Sequence, residues 1–176
     1  MMRLITILGG ALLLLAACRK DQGEALFDLN YPPRSFTLAA GANPGLAQVF
    51  TFNNQPTLFQ SFLNNSGHTA DEVEGIQSRF ARLSSEDGFD LGFLTGVSVR
   101  ICPVTQDECT FADEVFYRDD LFRRNISVIN LDPGLADKKE LLSGNLYKME
   151  VLLFLGDVSP YAVDFRLEYG FTAYKK

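Results

Sequence analysis

The side chains best suited to covalent chemistry are few. His68 is the single imidazole among 176 residues, and it stands in the stretch Asn64-Asn65-Ser66-Gly67-His68, with Asp71 close behind. A hydroxyl becomes a nucleophile only when a base can take its proton, so Ser66, His68 and Asp71 are the one grouping with the residue types of a triad. Their setting points elsewhere. The Asn-Asn-Ser-Gly run is turn chemistry, and Asp71 falls inside Thr69-Ala70-Asp71-Glu72, which has the form of a capping box at a helix start. The sequence predicts a solvent-facing loop histidine, no catalytic triad and no enzyme.

Carboxylates gather at Asp71, Glu72 and Glu74, at Glu86, Asp87 and Asp90, at Asp107 and Glu108, and at Asp119 and Asp120. A calcium loop needs carboxylates at alternate positions, and none of these runs has that ladder; Asp87-Gly88 reads as a turn. A glycosidase pair must face across a cleft, for which a chain this small leaves little room. These groups are expected in solvated loops. Cys102 and Cys109 are separated by the six residues PVTQDE, a spacing that suits a bridge across the mouth of a hairpin. Chain-entropy reasoning makes such a bridge worth up to about 2.5 kcal/mol. Free thiols are the alternative; zinc would need two more ligands. No glycine-rich phosphate loop follows a strand, so no cofactor is expected.

Fifteen Phe and six Tyr accompany no Trp. Most of these rings fall on the apolar side of alternating runs, where core packing accounts for them. Sugar platforms often use exposed Trp, so its absence weakens a glycan reading while leaving Tyr31, Tyr117 and Tyr174 open to it. Arg118, Arg123 and Arg124 could touch an acidic partner, although an ordinary loop explains them as well. The chain carries a net charge of −6, which repels phosphate backbones and disfavours nucleic acid as a partner.

The amino terminus is of a different kind. Met1, Met2 and Arg3 precede an uncharged apolar run over residues 4–17, the order of a secretory signal peptide and too short for a spanning helix. Leu15-Ala16-Ala17-Cys18 resembles the bacterial lipobox. That resemblance implies cleavage after residue 17 and acylation of Cys18, whose acyl chains would hold the protein on a bilayer. Residues 18–25 would then be a lipidated tether. Arg19, standing where inner-membrane lipoproteins often have Asp, implies the outer membrane, and Lys20, Asp21 and Glu24 resemble the surface-export signals of Bacteroidota lipoproteins.

Removing residues 1–17 leaves 159 residues with 15 basic and 22 acidic groups, a net charge of −7. That is one domain's worth, able to bury about 70% of its unfolded surface. Residues 161–173 alternate for their whole length, and before them Tyr147, Met149, Val151, Leu153 and Leu155 share one face while Lys148 and Glu150 take the other. Period two predicts strands with one wet face, and the turn residues 156–160 between them predict an antiparallel hairpin. Shorter strands are expected over 27–31, 34–38, 47–52, 97–101, 110–117 and 126–131, with helical turns over 135–142. The stretch 69–83 is ambiguous, because Val73, Ile76, Phe80 and Leu83 keep helical spacing while residues 76–83 also alternate acceptably as a strand; a short helix at 69–74 running into a strand up to about Leu83 is the reading adopted. Bridging Cys102 to Cys109 would set Glu114 opposite Val97, a poor apolar match that calls for a bulge.

Seven to nine short strands with one or two helical turns predict an all-β antiparallel sandwich, Ig-like or jelly-roll-like, over residues 26–176; an open lipid-binding barrel is the competitor. The chain also resembles small β-sandwich lipoproteins of Bacteroidota, through Leu91-Gly92-Phe93-Leu94 leading into Val97-Ser98-Val99 and Leu141-Leu142 leading into the strand at Tyr147. That family has no assigned activity. The expectation is a lipid-anchored outer-membrane module that binds or supports an outer-membrane partner without catalysis, or, alternatively, captures a glycan or other ligand for an outer-membrane transporter.

Overall fold

A computed structural model describes residues 23–175, so the leader, Cys18 and most of the tether lie outside the described residues. Among the described residues there are nine strands: β1 (Glu24–Asn30), β2 (Arg34–Leu38), β3 (Gln48–Pro56), β4 (Gly75–Ser85), β5 (Leu94–Cys102), β6 (Glu114–Arg118), β7 (Val128–Pro133), β8 (Leu146–Leu155) and β9 (Val163–Lys175). Two short helices join them, α1 (Phe59–Ser66) and α2 (Lys139–Leu142), with 3-10 turns at Ala70–Glu72 and Phe111–Asp113. None of these helices is long and apolar enough to cross a membrane.

Every pairing is antiparallel, in the order β1-β9-β4-β7-β6-β5-β8-β3, with β2 also on β9. The sheet curls into a half-barrel whose two walls face each other as in a sandwich. β7 belongs to both walls: Val128 to Leu131 pair with β4, and Asp132 and Pro133 pair with β6. On the other side the walls end at different strands, β1 and β2 in one and β3 in the other.

The expected hairpin of residues 147–173 does not form. β8 lies between β5 and β3, whereas β9 lies between β4 and the β1/β2 edge. Both strands have a wholly apolar face, and facing them across the core buries both at once. Tyr147 and Tyr169 meet there, hydroxyl to hydroxyl at 2.7 Å, and Tyr31 stacks on Tyr169 with ring centroids 5.3 Å apart. With Phe116, Phe165 and Phe171 fully buried beside them, side chains fill the space between the walls. Burial pushes the hydroxyls of Tyr31, Tyr147 and Tyr169 above the ordinary tyrosine range, so they stay protonated as hydrogen-bonding pins.

Local irregularities explain the ambiguous runs. In β4 the register on β9 shifts between Ser78 and Phe80, which moves the inward set from Ile76 to Ala81 and Leu83. The expected strand is present, and the bulge changes its phase, so its buried residues do not keep a strict spacing of two. The expected capping box is present: the Thr69 N–H donates to Glu72 Oε2 at 2.7 Å. Between β5 and β6 the register shifts at Val99 and Arg100, so Glu114 faces Arg100 and Val97 faces Arg118. The residues expected at the start of that strand form the 3-10 turn instead.

Candidate functional site

The predicted bridge between Cys102 and Cys109 has its sulfurs 2.07 Å apart, closing residues 103–108 into a loop. That loop lies on the outer face of β8, where side chains from the sheet hold its backbone. Lys148 Nζ donates to the carbonyls of Gln106 at 2.7 Å and Asp107 at 2.6 Å, and pairs with Glu150 Oε1 at 3.1 Å. Glu150 Oε2 accepts from the Cys109 N–H at 3.1 Å, and Arg100 Nη1 donates to the Cys109 carbonyl at 3.2 Å. Both Lys148 and Glu150 are buried beneath the loop. The Thr110 N–H donates to Asp113 Oδ2 at 2.9 Å in a second capping box that ends the loop.

Beside this clamped loop runs a groove of about 670 Å³ across the outer faces of β5, β6 and β8. Its apolar surface comes from Phe111, Tyr117, Leu135 and Phe154, and its polar groups from Ser98, Arg100, Glu114 and Asp119. Phe111 is 77% exposed and Leu135 90%, unusual for large apolar side chains flanking one depression. The Ser98 hydroxyl donates to Glu114 Oε2 at 2.5 Å, fixing the carboxylate in the floor. Arg100 Nε is shielded from solvent and has no partner.

Two glycines shape the edges. A Cβ on Gly96 would lie 3.1 Å from Asp119 Oδ1 and 3.2 Å from the Arg118 carbonyl, so its absence lets the end of β6 cross close to β5. A Cβ on Gly134 would lie 2.9 Å from the Glu114 carbonyl, where the Gly134 N–H instead donates to Val115 at 2.7 Å. The groove thus combines rings for stacking, carboxylates that accept and a guanidinium that donates, set on paired strands and on the turns beside them. It suits a polar ligand with apolar faces, or an extended peptide.

Of the residues singled out from sequence, Tyr117, Asp119 and the cysteine pair come together here. The others are elsewhere. Tyr31 is buried, its hydroxyl donating to the Thr57 carbonyl at 2.7 Å, which removes it as a surface platform. Tyr174 is half-buried on β9. His68 is held rather than free, with Nδ1 3.4 Å from Glu72 Oε2, and the Ser66 hydroxyl donates to the Leu63 carbonyl. Hydrogen bonds from Thr69, backbone first and then side chain, hold the Glu72 carboxyl below the usual range. Asp90 accepts from the Gly92 and Ile126 N–H groups, and Gly88 turns the chain at φ +71°. Arg118 pairs with Asp132 at 3.0 Å, while the Arg123 guanidinium lies over the Phe122 ring at 5.0 Å. Among the described residues no three His, Cys, Asp or Glu side chains gather as a metal site.

Phe111, Leu135 and Phe154 were not singled out. A signal existed for Phe154: on the face of β8 that carries Lys148 and Glu150, the next two residues are Leu152 and Phe154, apolar where a wet face would be polar. No protein-family model matches the chain, and no curated protein matches it either.

Proposed function

We propose that the chain is a membrane-tethered, non-enzymatic binding module whose groove beside the cysteine loop takes a partner at the outer membrane. The observation that carries this reading is the set of large apolar side chains, Phe111, Leu135, Tyr117 and Phe154, left open around a trough on a rigid sheet. Exposed apolar clusters of this kind are the usual substrate of recognition, and the paired strands that carry Tyr117 and Phe154 hold those two in place at little entropic cost on binding. The tether is the acyl anchor implied by Leu15-Ala16-Ala17-Cys18.

The test has two arms. Cells fed an alkyne-bearing palmitate should label the full chain, and Cys18→Ser should abolish both label and membrane fractionation. A photo-crosslinking residue at position 135 or 111 should capture one discrete outer-membrane protein, while the same residue at Val128 on β7 should not. Absence of label on the wild-type chain sinks the anchor, and indiscriminate or absent capture sinks the groove.

A second reading is favoured by Tyr117 lying among Ser98, Glu114 and Asp119. A ring flanked by hydrogen-bonding groups also suits a saccharide, and saturation transfer from the protein to a glycan, lost in Tyr117→Ala, would replace the protein partner by a sugar.

A further inference from the structure

On the open side of the half-barrel three strands have an edge that is unpaired among the described residues, and they are not alike. β1 carries Glu24 and Asp28, and β2 is five residues long and carries Arg34. β3 is nine residues long, QVFTFNNQP, without a single charge in a chain of net charge −6. Charged side chains, bulges and prolines are what normally keep an edge from pairing. β3 has such protection only toward its end, where the register shifts between Phe52 and Gln55, Asn54 has φ +53°, and Pro56 follows.

Residues 48–52 keep a regular register on β8 and carry no such guard. Their other edge is paired with β8, so the free edge presents a row of backbone groups bonded to no strand among the described residues. Phe50 and Phe52 point toward the core yet stay only half-buried, packed on Phe36 at centroid distances of 4.4 and 6.1 Å. On the opposite face Val49 is 53% exposed, and Leu46 just before the strand is 79% exposed. Unpaired backbone and incompletely covered rings thus coincide on the same five residues.

We propose that this edge pairs with the same edge of a second copy of the chain, antiparallel, about a two-fold axis at Phe50. The stretch is complementary to itself. Such an axis sets Gln48 opposite the second copy's Phe52, Val49 opposite Thr51, and Phe50 opposite Phe50. The β-branched pair lies on the outer face and the rings lie on the inner one, where each copy covers the other's half-exposed Phe50 and Phe52. No charge of either sign lies on this edge, whereas β1 carries Glu24 and Asp28 and β2 carries Arg34. The joined walls form one sheet running through both copies. This surface lies on the opposite side of the fold from β7 and is independent of the groove and of the anchor.

Cysteine pairing in intact cells reads the register directly, because residues facing each other across an antiparallel pair have Cβ atoms about 4.5–5.5 Å apart and diagonal neighbours lie farther away. Full-length chains with Val49→Cys and Thr51→Cys, carrying different tags, are expressed together and apart and treated with a mild oxidant. The expected result is a product of twice the chain mass that carries both tags, severalfold more abundant than the product of either variant alone. Phe50→Lys, which sets two cations on the axis, should remove it, with unchanged protease resistance showing that the fold persists. Mixed crosslinking no higher than that of Val128→Cys chains, or crosslinking only to a protein of another mass, would overturn the proposal.

Discussion

Residues 147–151 of β8 and 163–169 of β9 carry the same pattern, apolar and charged residues in alternation, and the two charged faces meet opposite fates. On β9 the outer Arg166 and Glu168 stay in contact with water, paired at 3.3 Å, with Arg82 of β4 reaching Glu168 at 3.0 Å. On β8 the outer Lys148 and Glu150 are buried, because the cysteine loop folds over them. The ammonium meets two carbonyls and a carboxylate, and that carboxylate meets a backbone N–H, so the cost of desolvation is offset by hydrogen bonds. The difference teaches that a charge at a wet-face position can be a fastener for a loop as readily as a group kept for solubility.

The comparison is broken most sharply by removing one member of the buried pair. Glu150→Ala should cost about 3–5 kcal/mol in urea unfolding, since it strands a buried ammonium. Replacing both, Lys148→Met with Glu150→Leu, should cost less than Glu150→Ala alone; the reverse order would mean that Coulomb attraction, rather than the avoided unpaired charge, dominates the site. Next comes the covalent staple. Cys102→Ser with Cys109→Ser should lower stability by up to about 2.5 kcal/mol by the loop-entropy estimate, seen as a lower urea midpoint.

Asp113→Asn should cost about 1 kcal/mol, the usual worth of a capping side chain. Its wild-type carboxyl is opposed by burial, but hydrogen bonds from Thr110 and Gln106 and the nearby Lys138 ammonium outweigh this and hold it below its ordinary value of 3.8. A depressed folded-state pKa adds stability above the unfolded value and loses it as pH falls toward the folded one. The stability gap between wild type and Asp113→Asn should therefore narrow below about pH 4, and urea midpoints at pH 7 and pH 3 would measure it. The smallest effect belongs to the solvated wall: Glu168→Ala should change the unfolding free energy by less than about 1 kcal/mol, and that change should shrink further in high salt.

Much of the fold was legible because period two is a local signal. The alternation over β9, the bounds of β2, the capping box at Thr69 and the cysteine bridge all follow from neighbouring residues. What pairs with what is not local. The turn residues 156–160 serve an arch between walls as well as they would serve a hairpin, and nothing in their chemistry separates the two. α1 went unseen because FQSFLNNS is poor in strong helix formers and buries only Phe59 and Leu63. The groove was half legible: Tyr117 and Asp119 were noted as residue types, but Phe111 and Leu135 are brought beside them by a 3-10 turn and a crossover whose paths depend on the whole sheet.

β9 bears on the time course of folding. It is the last strand in the chain, and β1, β2 and β4 all pair with it, down to Glu24 opposite Lys175. A polypeptide made from its amino end holds three strands without their common partner until Val163–Lys175 exist. Such distant pairing slows folding and exposes strand edges while it waits. One wall therefore closes only once β9 has been made, and a chain stopped before residue 163 would leave β1, β2 and half of β4 without their partner and open to aggregation.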